Sequence, residues 1–444
     1  MIKKTFNDNC TVYSLCGLKF LKIKEKTAKF KVYLFGIPVA IIPKSFIFRS
    51  NSQNSIKDYV KLLYKNAKDK SNVFVDITDN LYIRKEDDAK LIAFYLPQFH
   101  SIPLNDENIA KGFTEWSNVT KALPHFTGHS QPQLPIDVGF YDLAHDDVMY
   151  RQVELAKMYG IYGFCFHYYW FSGDRLLEKP IFNWLNNKDL NLPFCLCWAN
   201  ENWSKLWDGG NKELLKKQEL KDEDDEKFFN DILPFFKDER YIKVNNKPFL
   251  IIYNPVMFEK HRLQKFMAYI NEKAKSEGFD GVYFASSTCQ KFEQQKEWNF
   301  DAIVEFPPHN MKDLRTVNMK NGYYDPDFKA SIYDMKDYIE NEKYLYETSN
   351  NIIKGVFPSW DNTARKAYTG AGVYYGETPE LYKKWLSDCI KWTKENHSKE
   401  EQFVFINAWN EWAEGAHLEP DQRYGYAYLQ ATNDALEVVS KQKI

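Results

Sequence analysis

From Lys90 onward, apolar runs recur at 91–98, 163–170, 193–200, 248–255, 282–288, 301–308, 352–360 and 403–412. None keeps the strict alternation of a half-exposed sheet, so they read as eight strands buried on both faces. Helical periodicity fills most of the intervals. Residues 146–159 carry Met149, Val153 and Ala156, with Gly160 as the stop. Leu263, Phe266, Met267, Ile270 and Ala274 form one stripe ahead of Gly278. Thr378-Pro379 is an N-cap followed by proline at the first helical position, with Leu381, Trp385, Cys389 and Trp392 as the expected buried face. Strands alternating with helices in this way predict a (β/α)8 TIM barrel, class α/β, over 90–444. A doubly wound sheet would leave unexplained the polar and aromatic residues gathered at nearly every strand end.

The stretch before the barrel has another rhythm. Residues 17–24 alternate apolar and basic positions with period two, and 36–43 resembles a second, more apolar copy. Residues 1–49 therefore read as a small basic β-hairpin module. Residues 50–89 read as a linking segment, polar from Ser50 to Ser55, in which Ile56, Val60, Leu63 and Ala67 mark one face of a short helix.

Composition sharpens this picture. A chain of 444 residues, 44% hydrophobic, buries a large core, and an aromatic content of 17% leaves rings to line a cleft. A net charge of −2 excludes a general affinity for nucleic acid. The charge is uneven, since residues 1–50 carry ten Lys or Arg against Asp8 and Glu25. That stretch is either an accessory packing module or a surface that touches anionic lipid or a glycolipid acceptor.

Seven scattered cysteines do not form a disulfide framework, and Cys165, Cys195 and Cys197 lie in strand-like runs as small buried hydrophobes, which implies a reducing compartment. No second Cys pair or His cluster completes a zinc site around Cys195-Leu196-Cys197. Lys3-Lys4 is followed by Asn7-Asp8-Asn9 rather than an apolar stretch, and no run approaches the ~20 residues of a membrane helix. The expected location is cytoplasmic, with peripheral membrane association left open.

The candidate chemistry lies at the strand ends, where a barrel builds its active site. In chain order these are Tyr95 with Gln98 and His100, then His167-Tyr168-Tyr169-Trp170, then Trp198 to Trp203 with Asn200 and Glu201. Later come Tyr253-Asn254, Glu305, Trp360-Asp361, and Trp409-Asn410-Glu411-Trp412-Ala413-Glu414. Carboxylates among aromatic rings lose hydration, which pushes their protonation apart into acid and base roles. Indole faces are flat platforms for sugar rings, so Glu411 and Glu414 are the candidate catalytic pair for chemistry on a carbohydrate.

The plainer alternative is that Glu411 and Glu414 are salt-bridged to barrel-rim arginines. On a straight strand, positions three apart face opposite ways, so both acids reach one pocket only if the backbone turns near Trp412. His167 is either a satisfied core histidine or a sugar contact, and Glu305 is a candidate third pocket carboxylate. Asp222-Glu223-Asp224 has the DxD form of metal-dependent glycosyltransferases, but it sits in a charged run that opens a helix and reads as solvated. No GxGxxG or P-loop is present, so no cofactor is expected.

The segments Phe94 to His100, Gly112-Phe113-Thr114-Glu115-Trp116, Phe166 to Trp170, Cys197 to Trp203 and Trp409 to Glu414 together resemble the glycoside hydrolase family 99-like proteins. Within them, they are similar to the WbsX-type proteins of bacterial surface-polysaccharide biosynthesis. The resemblance spans nearly all of 90–440 and adds Glu115 and Trp116 to the expected substrate-binding residues.

It implies a metal-independent, retaining reaction on an oligosaccharide or polysaccharide. In that reaction Glu411 assists the substrate's 2-hydroxyl and Glu414 serves as general acid and then base, through an anhydro sugar. Ala413 stands where the mannosidases of that family usually carry histidine, which bears on specificity. The competing expectations are a glycosyltransferase of O-antigen or capsule assembly and a catalytically inactive glycan-binding barrel.

Overall fold

The computed structural model describes residues 2–7, 10–15, 18–26, 29–35, 37–78, 81–205, 213–289, 298–319, 322–345 and 351–441; up to residue 55, side chains are described at 11, 12, 14, 21–24 and 31–35. The chain divides into two compact units.

The first unit comprises Met1–Lys68 with His125–His129 and Gly322–Tyr324. It holds an antiparallel meander of β1 (Ile2–Asn7), β2 (Cys10–Leu15), β3 (Leu18–Lys26), β4 (Lys29–Leu34) and β5 (Ile37–Pro43), followed by helix α1 (Lys44–Lys68). The two strand-like copies expected from the sequence correspond to β3 and β5 of this larger sheet. Residues 50–55, expected as a linker, lie inside α1. The expected buried face of the helix is also displaced: Ile56, Val60 and Ala67 are exposed, and of the four only Leu63 is half-buried. The expected lipid-facing surface of residues 1–49 falls largely on side chains outside the described residues.

The second unit is the barrel. Its parallel strands are β6 (Lys90–Tyr95), β7 (Gly163–Phe171), β8 (Phe194–Trp198), β9 (Lys247–Ile252), β10 (Tyr283–Ser287) and β11 (Ala302–Val304), then β12 (Ile352–Ile353), β13 (Gly355–Val356) and β14 (Phe403–Ile406). β12 and β13 are two halves of one strand interrupted at Lys354. One half pairs with β11 and the other with β14, which pairs in turn with β6, so eight strands close into a ring. All eight apolar runs of the sequence supply these strands.

The helices follow the expected periodicity with one rotation. The main ones are α2 (Asp147–Met158), α3 (Lys179–Asn186), α4 (Asp224–Phe236), α5 (Lys260–Ser276), a single turn α6 (Thr363–Lys366), α7 (Pro379–Asn396) and α8 (Ala427–Lys441). The five apolar residues expected on α5 are all buried. On α7 the Thr378 cap is present, its hydroxyl accepting from Leu381 N at 3.3 Å. Tyr382, Leu386 and Ile390 join Trp385 and Cys389 on the buried face, while Leu381 and Trp392 are only half-buried.

The acidic run before α4 is not simply solvated. Asp222 is exposed and pairs with Arg262 and Lys265, whereas Asp224 is fully buried and accepts from Ser172 Oγ and Lys221 N. Cys165, Cys195, Cys197, Cys289 and Cys389 are buried free thiols. No described helix is long and apolar enough to cross a membrane.

Candidate active site

Beyond β14 the chain makes the turn that two pocket-facing acids require. Asn410–Glu411 pairs antiparallel with Ala416–His417, and the reversal between them is a single 3-10 turn, Trp412–Glu414. Gly415 ends that turn in the left-handed region at φ +59, and a Cβ there would come within 3.0 Å of Asp361 N. Glycine is therefore needed twice over, for the dihedral and for the close approach. The turn is held from the next strand end, where Asp361 N donates to Glu414 O at 2.7 Å and Ser359 Oγ donates to Gly415 O.

Glu411 and Glu414 consequently open onto the same cavity, of about 170 Å³, at the C-terminal mouth of the barrel. Its walls carry His167, Tyr169, Trp203, Tyr253 and Phe306 as rings, with Ala199, Asn202 and Cys289 between them. Glu201, His309, Arg365 and Lys366 complete the lining.

Arg365, on α6, is the electrostatic centre. Its Nη1 donates to Glu414 Oε1 at 2.8 Å, Nη2 to Glu411 Oε2 at 3.2 Å, and Nε to Glu115 Oε1 at 2.8 Å. The arginine side chain is 3% exposed and that of Glu115 is 0% exposed. Rim-arginine pairing and a pocket position, set against each other as alternatives from the sequence, thus coexist. α6 is anchored by Asp361, whose Oδ1 accepts from both Thr363 N and Thr363 Oγ1.

Three carboxylates thus share this one guanidinium. Burial raises the Glu411 carboxyl, to about 8; Glu414 and Glu115 add to the rise and Arg365 opposes it. Burial lowers His167 to about 4 and also lowers His309, so both imidazoles are neutral hydrogen-bonding groups at neutral pH.

Another buried carboxylate fixes the frame behind the pair. Glu419 accepts at Oε1 from Gln152 Nε2 (2.6 Å) and Trp409 Nε1 (3.1 Å), and at Oε2 from Trp412 Nε1 (2.6 Å) and Tyr141 OH (2.9 Å). Burial pushes it up to about 7, against the pull of those four donors. It grips the tryptophans on either side of Glu411.

The expected substrate-binding residues divide by strand parity. On β7, His167 and Tyr169 face the cavity, while Tyr168 reaches out to Asp231 of α4 and Trp170 packs edge-on against Phe228 at 5.0 Å. Trp198 likewise packs outward on Phe228, Phe258 and Phe266. Glu201 and Trp203 line the cavity, whereas Asn200 straps β8 to β9 through a reciprocal pair of 2.7 Å bonds with the Asn254 backbone. Asn410 does the same for Leu96, bonding its N at 2.7 Å and its O at 3.0 Å.

The remaining candidates act around the cavity rather than on its wall. Tyr95 donates to Gln152 at 2.7 Å, His100 Nδ1 bonds Pro97 O at 3.1 Å, Trp116 donates to Tyr141 O, and Trp409 points to Glu419. Gln98 and Trp360 are buried off the lining, and Asp361 serves α6. Glu115 stands behind Arg365. Glu305 is not a pocket carboxylate: it pairs with the buried Lys354 at 2.9 Å and accepts from Gly355 N, bracing the interrupted strand. The third pocket carboxylate is Glu201, which accepts from Asn254 Nδ2 at 2.7 Å.

Tyr253, named at its strand end, lines the cavity, but His309, Arg365 and Lys366 were not among those candidates. His309 follows the Pro307-Pro308 step, so it had a strand-end signal. Arg365 and Lys366 lie four or five residues beyond Asp361, in a helical turn too short for periodicity to reveal. Among the described residues, no group of three or more His, Cys, Asp or Glu side chains is placed to hold a metal ion.

A closed (β/α)8 ring with acids and aromatics at its C-terminal mouth places this chain among barrel proteins whose chemistry sits at strand ends. The family model described as "Glycosyltransferase WbsX" matches residues 91–432. The chain belongs to that family, one of carbohydrate-active enzymes. Over 350 residues it is 41% identical to the uncharacterized protein WxcX of two Xanthomonas campestris pv. campestris strains, covering 78% of this chain and 50% of the relative. The chain thus spans about half the length of the curated relatives it matches. Among solved structures, the GH99 endo-alpha-mannosidase from Bacteroides thetaiotaomicron is similar at a TM-score of 0.49 and 12% identity, over 80% of this chain and 98% of that one.

Proposed function

We propose that this chain is a retaining glycosidase or transglycosylase acting on a bacterial oligosaccharide or polysaccharide, with Glu411 and Glu414 as the catalytic pair and the substrate's 2-hydroxyl as nucleophile. The observation that carries the reading is the placement of both acids, by one 3-10 turn, on a single guanidinium at an aromatic-lined cavity. A cavity of about 170 Å³ suits one enclosed sugar ring. Pockets for drug-sized ligands run to roughly 300–1,000 Å³.

In the first step Glu411 takes the 2-hydroxyl proton as that oxygen bonds to the anomeric carbon, and Glu414 gives a proton to the departing oxygen. In the second, Glu414 takes a proton from water or an acceptor hydroxyl as it attacks the anomeric carbon. The strained C1–O2 bond opens and Glu411 returns the proton to O2. Two inversions give retention. Burial raises the Glu411 carboxyl, whereas departure of the leaving oxygen needs a proton delivered from Glu414. Both carboxylates share Arg365, so moving the proton between them leaves the cluster's charge unchanged, and a pH–rate profile reports the pair.

The family name favours a second reading, in which the chain transfers sugar from an activated donor during O-antigen or capsule assembly. The proposal includes a membrane or glycolipid contact through the basic N-terminal stretch, with the barrel in the cytoplasm. Mass spectrometry of products from the host's own polysaccharide intermediates, with and without nucleotide sugars, separates the readings. Product formed without nucleotide sugar, and lost in Glu411→Gln, supports the retaining mechanism. Product that appears only with a nucleotide sugar overturns it in favour of the transferase.

A further inference from the structure

Charge is divided along this chain far more than its net value suggests. Residues 1–68 carry 14 Lys or Arg against Asp8, Glu25 and Asp58, while the remaining residues carry 45 against 58. The overall −2 is thus a stretch of +11 joined to one of −13. Within the first unit, the register of β3 and β4 sets Lys24 directly opposite Lys31, a like-charge pair.

Helix α1 adds a shape to that charge. Tyr59, Leu62, Leu63 and Asn66 form its half-buried side. There Asn66 Nδ2 donates to His129 O at 2.9 Å, and the Tyr59 ring lies 5.2 Å from that of Tyr324. The outward side is not polar. Ile56, Val60 and Tyr64, each four residues from the next, are all exposed, Ile56 and Tyr64 at 62%. With successive side chains turned by roughly 100°, Lys57, Lys61, Lys65 and Lys68 fall along one edge of that stripe. The Lys68 ammonium lies 5.5 Å from the Tyr64 ring centre.

An apolar stripe in water beside a row of lysines is the pattern of helices that lie in the interface of an anionic bilayer. The apolar side chains enter the boundary between headgroups and acyl chains, and the lysines meet phosphates. We infer that the first unit docks on an anionic membrane surface through α1, with Ile56, Val60 and Tyr64 inserted and Lys57, Lys61, Lys65 and Lys68 on the headgroups. This deepens the membrane contact of the proposed function and moves its anchor beyond residue 49. It rests on a surface remote in sequence from the catalytic pair, so it stands or fails separately from the chemistry.

Flotation of the full chain with vesicles tests it, using phosphatidylcholine alone and phosphatidylcholine mixed with phosphatidylglycerol. Binding is expected only to the anionic vesicles, weakening as salt screens the attraction. Lys57→Gln and Lys61→Gln should each weaken it about fivefold. Ile56→Ser/Val60→Ser/Tyr64→Ser should weaken it more than tenfold, with the melting temperature and turnover of soluble substrate unchanged. Equal binding to neutral vesicles, no binding to anionic vesicles at low salt, or undiminished binding of the triple variant overturns the inference. So does a homodimer that the triple variant converts to monomer, since the stripe would then be covered by a second copy.

Discussion

Arg365→Gln is the sharpest test of the cluster, because it removes the one cation that three acids share. The acids are not equally exposed to the consequence. Glu411 and Glu414 face the cavity and can be wetted, whereas Glu115 is fully buried. It would be left with Asn118 Nδ2 at 3.3 Å as its donor, and its Oε2 has no hydrogen-bond partner among the described residues. The loss is therefore that of one stranded buried charge, about 3–5 kcal/mol, a large share of the ~5–15 kcal/mol that holds a typical fold.

The pH dependence gives a second signature. Without the guanidinium, taking up a proton is what relieves a stranded buried acid, so the folded protein keeps a proton that the unfolded chain, with carboxyls near 4.3, releases. Stability of the variant should thus fall as pH rises from about 5 to 8 and recover in acid. Urea unfolding followed by tryptophan fluorescence at pH 5.5 and 7.5 measures this, with the wild type at each pH as reference. Glu115→Gln combined with Arg365→Gln should regain most of the loss by neutralising the stranded acid, without restoring turnover. A deficit below about 1 kcal/mol at pH 7.5, the same deficit at both pH values, or a double variant no better than the single would refute the reasoning.

Three further outcomes are expected. Glu414→Gln should cut turnover about 10²–10⁴-fold on substrates with poor leaving groups and far less in the first step on activated aryl glycosides, where little acid help is needed; equal losses remove Glu414 from the acid role. Glu411→Gln should abolish turnover yet raise the melting temperature at pH 8 more than at pH 5. The wild-type carboxyl, raised to about 8, gives up stability as pH climbs from near 4.5 through that value, and the amide does not titrate; a pH-independent gain would contradict this in calorimetry. Exhaustive EDTA treatment should leave activity intact, because Asp222 of the Asp222-Glu223-Asp224 run is already paired with Arg262 and Lys265; a loss restored by Mg²⁺ or Mn²⁺ and removed again by Asp222→Ala would show that this pairing yields to a metal.

The sequence by itself determined the barrel and the pair. Strands buried on both faces are written as continuous apolar runs, and eight of them separated by helical stripes leave little choice of architecture. The acids at 411 and 414 were legible because glycine at 415 permits the reversal that brings both to one mouth. What the sequence left open was side and partner. His167-Tyr168-Tyr169-Trp170 reads as one aromatic block, but alternation along β7 sends half of it into the cavity and half into the helical shell.

Asn200 and Asn410 look like sugar-binding amides and instead tie backbones together, since buried strand ends must satisfy their own polar groups first. On α1, both the 56–60–63–67 face and the 59–62–63–66 face fit a helical period, and only the packing against 125–129 and 322–324 selects the second. Arg365 carries no local signature at all. Its role comes from meeting Glu115, 250 positions earlier, and Glu411 and Glu414, 46 and 49 positions later. Periodicity reads neighbours along a chain, whereas this charge is balanced across the barrel mouth, where only the closed tertiary structure brings the four side chains together.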